Sequence, residues 1–229
     1  MSGIFYSIGM GPGDPELVTQ KAILTLAQCE VVAVPDSQGS ENVVLGIAGS
    51  LAAGKTVVYC DAPMIRDKAA IDRCHQQSAR MLADYLDCGQ NVAFLTLGDP
   101  SIYSTANYVQ RHLDAMGHTT RMIPGVPSFC AVAARLNQPL CEAGQSLHII
   151  PATAGAVEQA LQTSGTQVFM KAGKNIRHIK QALIESGNGK TAQAVERCGM
   201  AEEKVHWNLD TLDEDASYFS IVIVKEAQP

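Results

Sequence analysis

"GSLAAGKTVVYC", residues 49 to 60, decides between two folds. Gly49, Gly54, Lys55 and Thr56 have the spacing of a phosphate-cradling loop. That loop works only where a buried strand enters the glycines and a helix leaves them, aiming its free N–H groups at phosphate. Here the flanks run the other way. Upstream, Val43, Val44, Ile47, Ala48, Leu51 and Ala52 form a helical stripe, with Gly54 where a C-terminal cap belongs. Downstream, "KTVVYC" is a β-branched and apolar run that reads as a strand. The motif then lies at the carboxyl end of a helix, whose dipole repels phosphate. The stretch predicts a helix-to-strand step in an alternating α/β chain. A helix starting at Lys55 would instead make it a P-loop nucleotide-binding module, the rival reading.

Working outward, the alternation continues. "GIFYSI", "EVVAVP", "NVAFLTL" and "TTRMI" read as further strands of the first half, with helical patterns between them. The clearest helix is "AAIDRCHQQSARMLADYLDCG", with Ile71, His75, Ala79, Leu82 and Leu86 along one side and Gly89 at its end. Such alternation predicts a mostly parallel sheet covered by helices on both faces. "IPGVPS", residues 123 to 128, concentrates two prolines and a glycine and reads as a hinge. Beyond it, "LHIIP", "QVFMK", "TAQAVE" and "YFSIVIVK" read as strands, and "FCAVAARL", "AVEQALQ" and "NIRHIKQALIES" as helices. The expected organisation is two α/β domains, residues 1–122 with a mostly parallel sheet and 123–229 with a mixed one.

Composition narrows the class of function. A net charge of −6 disfavours a protein whose work is holding nucleic acid. No apolar stretch approaches the ~18 residues of a membrane span, and "MSGIFYSIGMG" lacks the marks of a signal peptide, so a cytoplasmic protein is expected. The seven cysteines are odd in number and include no CxxC pair, which suits reduced thiols and predicts no metal site. The six histidines are equally dispersed.

In open α/β sheets ligands collect beyond the carboxyl ends of strands. Two loops lie there, "GMGPGDP" (Gly9 to Pro15) and "GDPSIYST" (Gly98 to Thr105). The first is no dinucleotide fingerprint, because Asp14 stands where its third glycine belongs and a carboxylate there repels pyrophosphate. Asp14 ahead of Pro15 also reads as a helix cap.

Taken together, "GMGPGDPELVTQKA", "LTLGDPSIYST", "IPGVPSFCAVAARL" and "VERCGMAEEKV" resemble, in order and spacing over nearly the whole chain, the tetrapyrrole methylase family. "GDPSIYST", "PGVPSFCAVAARL" and "MKAGKN" are similar to its members that methylate C20 of precorrin-2 or of its cobalt form in cobalamin biosynthesis. "DAPMIRDK" inclines the resemblance toward the cobalt-containing route. What the resemblance implies is a two-domain α/β fold, S-adenosylmethionine as methyl donor in the inter-domain cleft, and a homodimer. Methylation at another ring position is the alternative within the same fold.

The resemblance also implies roles by position. Pro12 borders the cofactor, Leu97, Gly98 and Asp99 wrap its methionine and ribose portion, and Ile102 makes an apolar contact. Pro127 and Ser128 occupy the place of a Thr-Ala pair in relatives, so the usual threonine hydroxyl is missing. Lys171 and Cys198 fall on the adenine side. Asp99 and Tyr103 are candidates for handling a proton, with an orienting carboxylate and a packed aromatic as their plainer readings. The implied substrate is an anionic tetrapyrrole with eight carboxylates, for which Arg66, Lys68, Arg135, Lys174 and Arg177 are the candidate holders, beside Lys180 of the same basic run.

Overall fold

β1, Ile4–Gly9, explains the first sheet in miniature. Phe5 and Ser7 point to one face and Tyr6 and Ile8 to the other, and all four are buried, as a strand covered on both faces requires. The computed structural model describes residues 2–36, 42–63, 65, 67–153, 155–186, 191–213 and 216–225, and the chain divides into two compact units, Met1–Pro127 and Ser128–Pro229.

In the first unit β1 is followed by α1 (Gln20–Ala27), β2 (Val31–Pro35), α2 (Val43–Ala48), β3 (Thr56–Cys60), α3 (Lys68–Asp87), β4 (Val92–Thr96), α4 (Ala106–Ala115) and β5 (Thr119–Ile123). The sheet order is β3-β2-β4-β1-β5 and every pairing is parallel, with Phe5 opposite Val92 and Gly9 opposite Thr96. One face packs Phe5, Val31, Val58 and Phe94 under Leu82, Leu86, Val109 and Leu113 of α3 and α4. The other packs Tyr6, Ile8, Val32, Val34 and Leu95 with Leu26 of α1 and Ile47 of α2. Because the chain reverses to insert β4 beside β1, the loops after those two strands meet at one edge, the place where such sheets hold ligands.

Residues 49–56 confirm the helix-to-strand order and exclude the P-loop reading. α2 ends at Ala48, a single 3-10 turn spans Gly49–Ala52, and β3 begins at Thr56. The Lys55 ammonium donates to the Cys29 carbonyl at 2.6 Å rather than facing a loop for phosphate. The helix stops earlier than its apolar stripe suggests. Gly49 takes φ 48° as its cap, and the 3-10 turn carries Leu51 and Ala52 onward against the same core.

α3 follows its expected side, with His75, Ala79, Leu82 and Leu86 buried. Asp67 caps it by accepting from the N–H groups of Ala69 and Ala70, and Gly89 closes it at φ 82°.

The second unit holds α5 (Ser128–Arg135), β6 (Leu147–Pro151), α6 (Ala156–Leu161), β7 (Thr166–Met170), α7 (Ile176–Ser186), β8 (Thr191–Glu196), β9 (Lys204–His206) and β10 (Ser220–Lys225). Its sheet runs β6-β7-β10-β8-β9; β6 and β7 are parallel and the remaining pairings antiparallel. Phe169, Val222 and Val224 pack with Leu161, Ile176 and Ile179 from α6 and α7. β9, only three residues long, is too short to show a period in the sequence.

Candidate functional site

At the carboxyl edge of the first sheet, three loops meet backbone to backbone. Met10 N–H donates to Thr96 O at 2.9 Å, and Gly98 N–H donates to Gly11 O at 2.6 Å across an antiparallel bridge. A Cβ on Gly9 would stand 2.6 Å from Gly125 N, and one on Gly125 would stand 2.3 Å from Gly98 O. No side chain fits between these backbones, which is why glycine ends β1 at Gly9 and stands two residues past β5 at Gly125. Gly11 and Gly98 add left-handed turns, at φ 72° and 75°.

Asp99 locks the arrangement. One carboxylate oxygen accepts from the Ser101 N–H and hydroxyl, and the other accepts from Gly125 N–H at 2.9 Å. The loop after β4 is thereby tied to the loop after β5 through a charge-assisted bond. Asp14 caps the neighbouring 3-10 helix Pro15–Leu17 by accepting from Glu16 N–H at 2.8 Å.

Of the residues expected at the site, the structure gathers Pro12, Leu97, Gly98, Asp99, Ile102 and Tyr103 on these adjoining loops. Pro12 and Gly98 are buried, Leu97 and Ile102 half-buried. Tyr103 takes φ 49° and is 45 % exposed. Pro127 ends the first unit and Ser128 opens α5 of the second.

Within the second unit, Lys171 and Cys198 follow β7 and β8 and flank the start of β10. Next to them, Ala172 N–H donates to Ser220 O and Arg197 N–H to Phe219 O. Lys171 is exposed and Cys198 buried.

The basic residues divide. Arg135 pairs with Glu203, whose other oxygen accepts from Gly199 N–H at 2.8 Å. Burial pushes the Glu203 carboxyl up, but the Gly199 N–H and the Arg135 guanidinium outweigh it and hold it below its ordinary value. Lys180 donates to the Leu212 carbonyl, so it too has a structural bond. Lys68, the first residue of α3, and Arg177 on α7 are exposed. The backbone of Lys174 lies in a 3-10 helix, Gly173–Asn175, while Arg66 lies outside the described residues.

The loops fit a cationic donor better than a phosphorylated one. Gly9–Pro15, Leu97–Thr105 and Ile123–Pro127 contain the carboxylates Asp14 and Asp99 and no Lys, Arg or His. Leu97 and Ile102 supply apolar surface beside them. A sulfonium-bearing amino acid matches that field, whereas a pyrophosphate would meet two like charges and no cation.

Two features escape a reading of the sequence. Gly125 reads as part of a hinge, yet it is a contact of the edge itself; a Pro-Gly pair following a strand was the available signal. A cavity of about 390 Å³ beside α4 is lined by Tyr103, Ser104, Asn107, Tyr108, Gln110 and Arg111. Under it, His75 stacks on Tyr108 with centroids 4.9 Å apart, and burial holds its imidazole below the ordinary value.

Known proteins with this pattern are consistent with one another. The family described as Tetrapyrrole (Corrin/Porphyrin) Methylases matches residues 5–213. The cobalt-precorrin-2 C(20)-methyltransferase of Salmonella typhimurium strain LT2 is 30 % identical, over 99 % of this chain and 98 % of its own. Cobalamin biosynthesis protein CobIJ of Mycobacterium tuberculosis strain H37Rv is 29 % identical over 97 % of this chain, which spans only 46 % of that longer protein. The uroporphyrin-III C-methyl transferase of Thermus thermophilus, solved with S-adenosylhomocysteine, superposes with a TM-score of 0.70 at 24 % identity, covering 98 % of each chain. In loop chemistry, fold and sequence alike, the chain belongs to the tetrapyrrole (corrin/porphyrin) methylase family.

Proposed function

We propose that this protein transfers a methyl group from S-adenosylmethionine to C20 of precorrin-2 or of its cobalt form. The observation that carries the reading is the edge built by Gly9, Gly98, Asp99 and Gly125, where three loops present carboxylate and apolar surface without a cation. The end-to-end match to the Salmonella enzyme supports the choice of ring position.

When bound, S-adenosylmethionine supplies a methyl group on a cationic sulfur. The chain's part is placement. Leu97 and Ile102 keep water from the reacting centre, where a dispersed charge is favoured over a concentrated one. Asp99, spoken for by Ser101 and Gly125, orients the loop and contributes a fixed negative field. Tyr103, exposed on the same loop, is proposed to relay the proton leaving the substrate carbon, its oxygen accepting that proton as its own hydroxyl proton passes to water. Holding carbon and methyl in line at about 3–3.5 Å then provides much of the acceleration. Lys68 and Arg177, both exposed, are proposed to meet substrate carboxylates.

The test is incubation of the pure protein with S-adenosylmethionine and either metal-free precorrin-2 or cobalt-factor II, followed by mass spectrometry. One substrate should gain the mass of one methyl group. No gain with either overturns the assignment.

A further inference from the structure

We propose that the cavity beside α4 is a subsite for one peripheral carboxylate of the tetrapyrrole, with Arg111 as its charge and Tyr108 as the platform that holds Arg111. The proposal rests on the methylation reading above and names a contact that this reading leaves open.

The geometry begins below the surface. His75 is buried on α3 and lies nearly parallel to the Tyr108 ring, 18° apart in plane and 4.9 Å between centroids. The Arg111 guanidinium carbon lies over the same ring, 4.9 Å from its centroid. Tyr108 is thus packed against both an imidazole and a guanidinium. A guanidinium on an aromatic face keeps its charge and gives up little hydration, so it remains available to a planar anion.

Local carboxylates do not satisfy Arg111. Asp72, on the facing helix, is engaged by His112 at 3.0 Å, and among the described residues Arg111 has no carboxylate within ion-pair distance. The rest of the lining, Tyr103, Ser104, Asn107, Tyr108 and Gln110, is polar and uncharged, with the buried Ser104 hydroxyl held by Thr96 and Ala106. Gln110 is fixed by the buried Ser7 hydroxyl, which donates to it at 2.9 Å, whereas the buried Oδ1 of Asn107 has no hydrogen-bond partner among the described residues. A carboxylate arm supplies the missing partner of Arg111, its two oxygens accepting from the guanidinium.

Size decides how much of the substrate enters. About 390 Å³ lies at the low end of ligand-holding cavities, room for an acid arm and several waters at ~30 Å³ each but not for a whole macrocycle. Tyr103 belongs both to this lining and to the loop after β4, so an arm held here leaves the ring beside the proposed site of methyl transfer.

The test is equilibrium titration of wild type, Arg111→Ala, Arg111→Lys and Tyr108→Leu with cobalt-factor II, followed by absorbance. Calorimetry with S-adenosylhomocysteine runs in parallel. Arg111→Ala should raise the tetrapyrrole Kd roughly tenfold, Arg111→Lys should recover part of the loss, and the S-adenosylhomocysteine Kd should stay within about twofold. Tyr108→Leu should fall between wild type and Arg111→Ala. Lys21→Ala, beside a separate cavity near β5, should match wild type. An unchanged tetrapyrrole Kd in Arg111→Ala overturns the subsite, as does a loss confined to S-adenosylhomocysteine, which would assign Arg111 to the donor. Arg111-dependent binding without methyl transfer would overturn the functional reading and leave the subsite standing. A wild type that binds no cobalt-factor II overturns both.

Discussion

Asp99 ties two loops together with a single side chain. Its carboxylate serves three donors from two loops, so replacing it by asparagine turns one acceptor oxygen into a donor facing N–H or O–H groups. The D99N variant should lose about 1–2 kcal/mol of stability in urea unfolding and bind S-adenosylhomocysteine at least several-fold more weakly. Wild-type values in both measurements would show that the clamp is incidental. The place of Asp99 on the loop after β4 was legible in "GDPSIYST"; its partner was not. Gly125 is 26 residues away in the chain, and its N–H reaches Asp99 only because β5 lies beside β1. Arg111 was invisible for a similar reason: a lone arginine on a helix reads as surface until the fold stacks it on Tyr108. Arg135 illustrates the converse, a basic residue expected to meet substrate whose ion pair with Glu203, 68 residues away, no sequence pattern announced.

At the scale of elements, periodicity served well wherever one face of a helix or both faces of a strand are buried. α3 shows it best, since Leu82 and Leu86 sit fully enclosed over Phe5, Val92 and Phe94. Leu82→Ala should cost about 2–5 kcal/mol, because a tightly covered site leaves a cavity that its neighbours fill only partly. Faster amide exchange in β1 and β4 would report the loss; unchanged protection there would mean that α3 adds little to this sheet. Boundaries were harder to read than elements. The apolar stripe of α2 continues past its last α-helical residue because a 3-10 turn still points Leu51 and Ala52 inward, so side-chain burial and backbone class part company at Gly49. β9 pairs with β8 over three residues, and that pairing is set by register rather than by any local pattern.

For the whole molecule, the cysteines offer a check on both units. Burial pushes the Cys29 thiol up to about 12 and the Cys60 thiol to about 11, and Cys198 is buried in the second unit. Cys88 and Cys141 are exposed, while Cys130 is exposed but pushed upward by partial burial. Because the thiolate is the reactive form, brief iodoacetamide treatment of the native protein at mildly alkaline pH should label Cys88 and Cys141 first and spare Cys29 and Cys60 until denaturant is added. Early labelling of Cys29 or Cys60 would contradict the packing of the first sheet. No described helix is long and apolar enough to cross a membrane. β1 pairs with β4 and β5 but not with β2, so its hydrogen-bonding partners emerge from the ribosome only after Val92 has been made. At ~5–20 residues per second the nascent strand waits on the order of ten seconds with both edges bare, and folding of this half is timed by translation of its later strands.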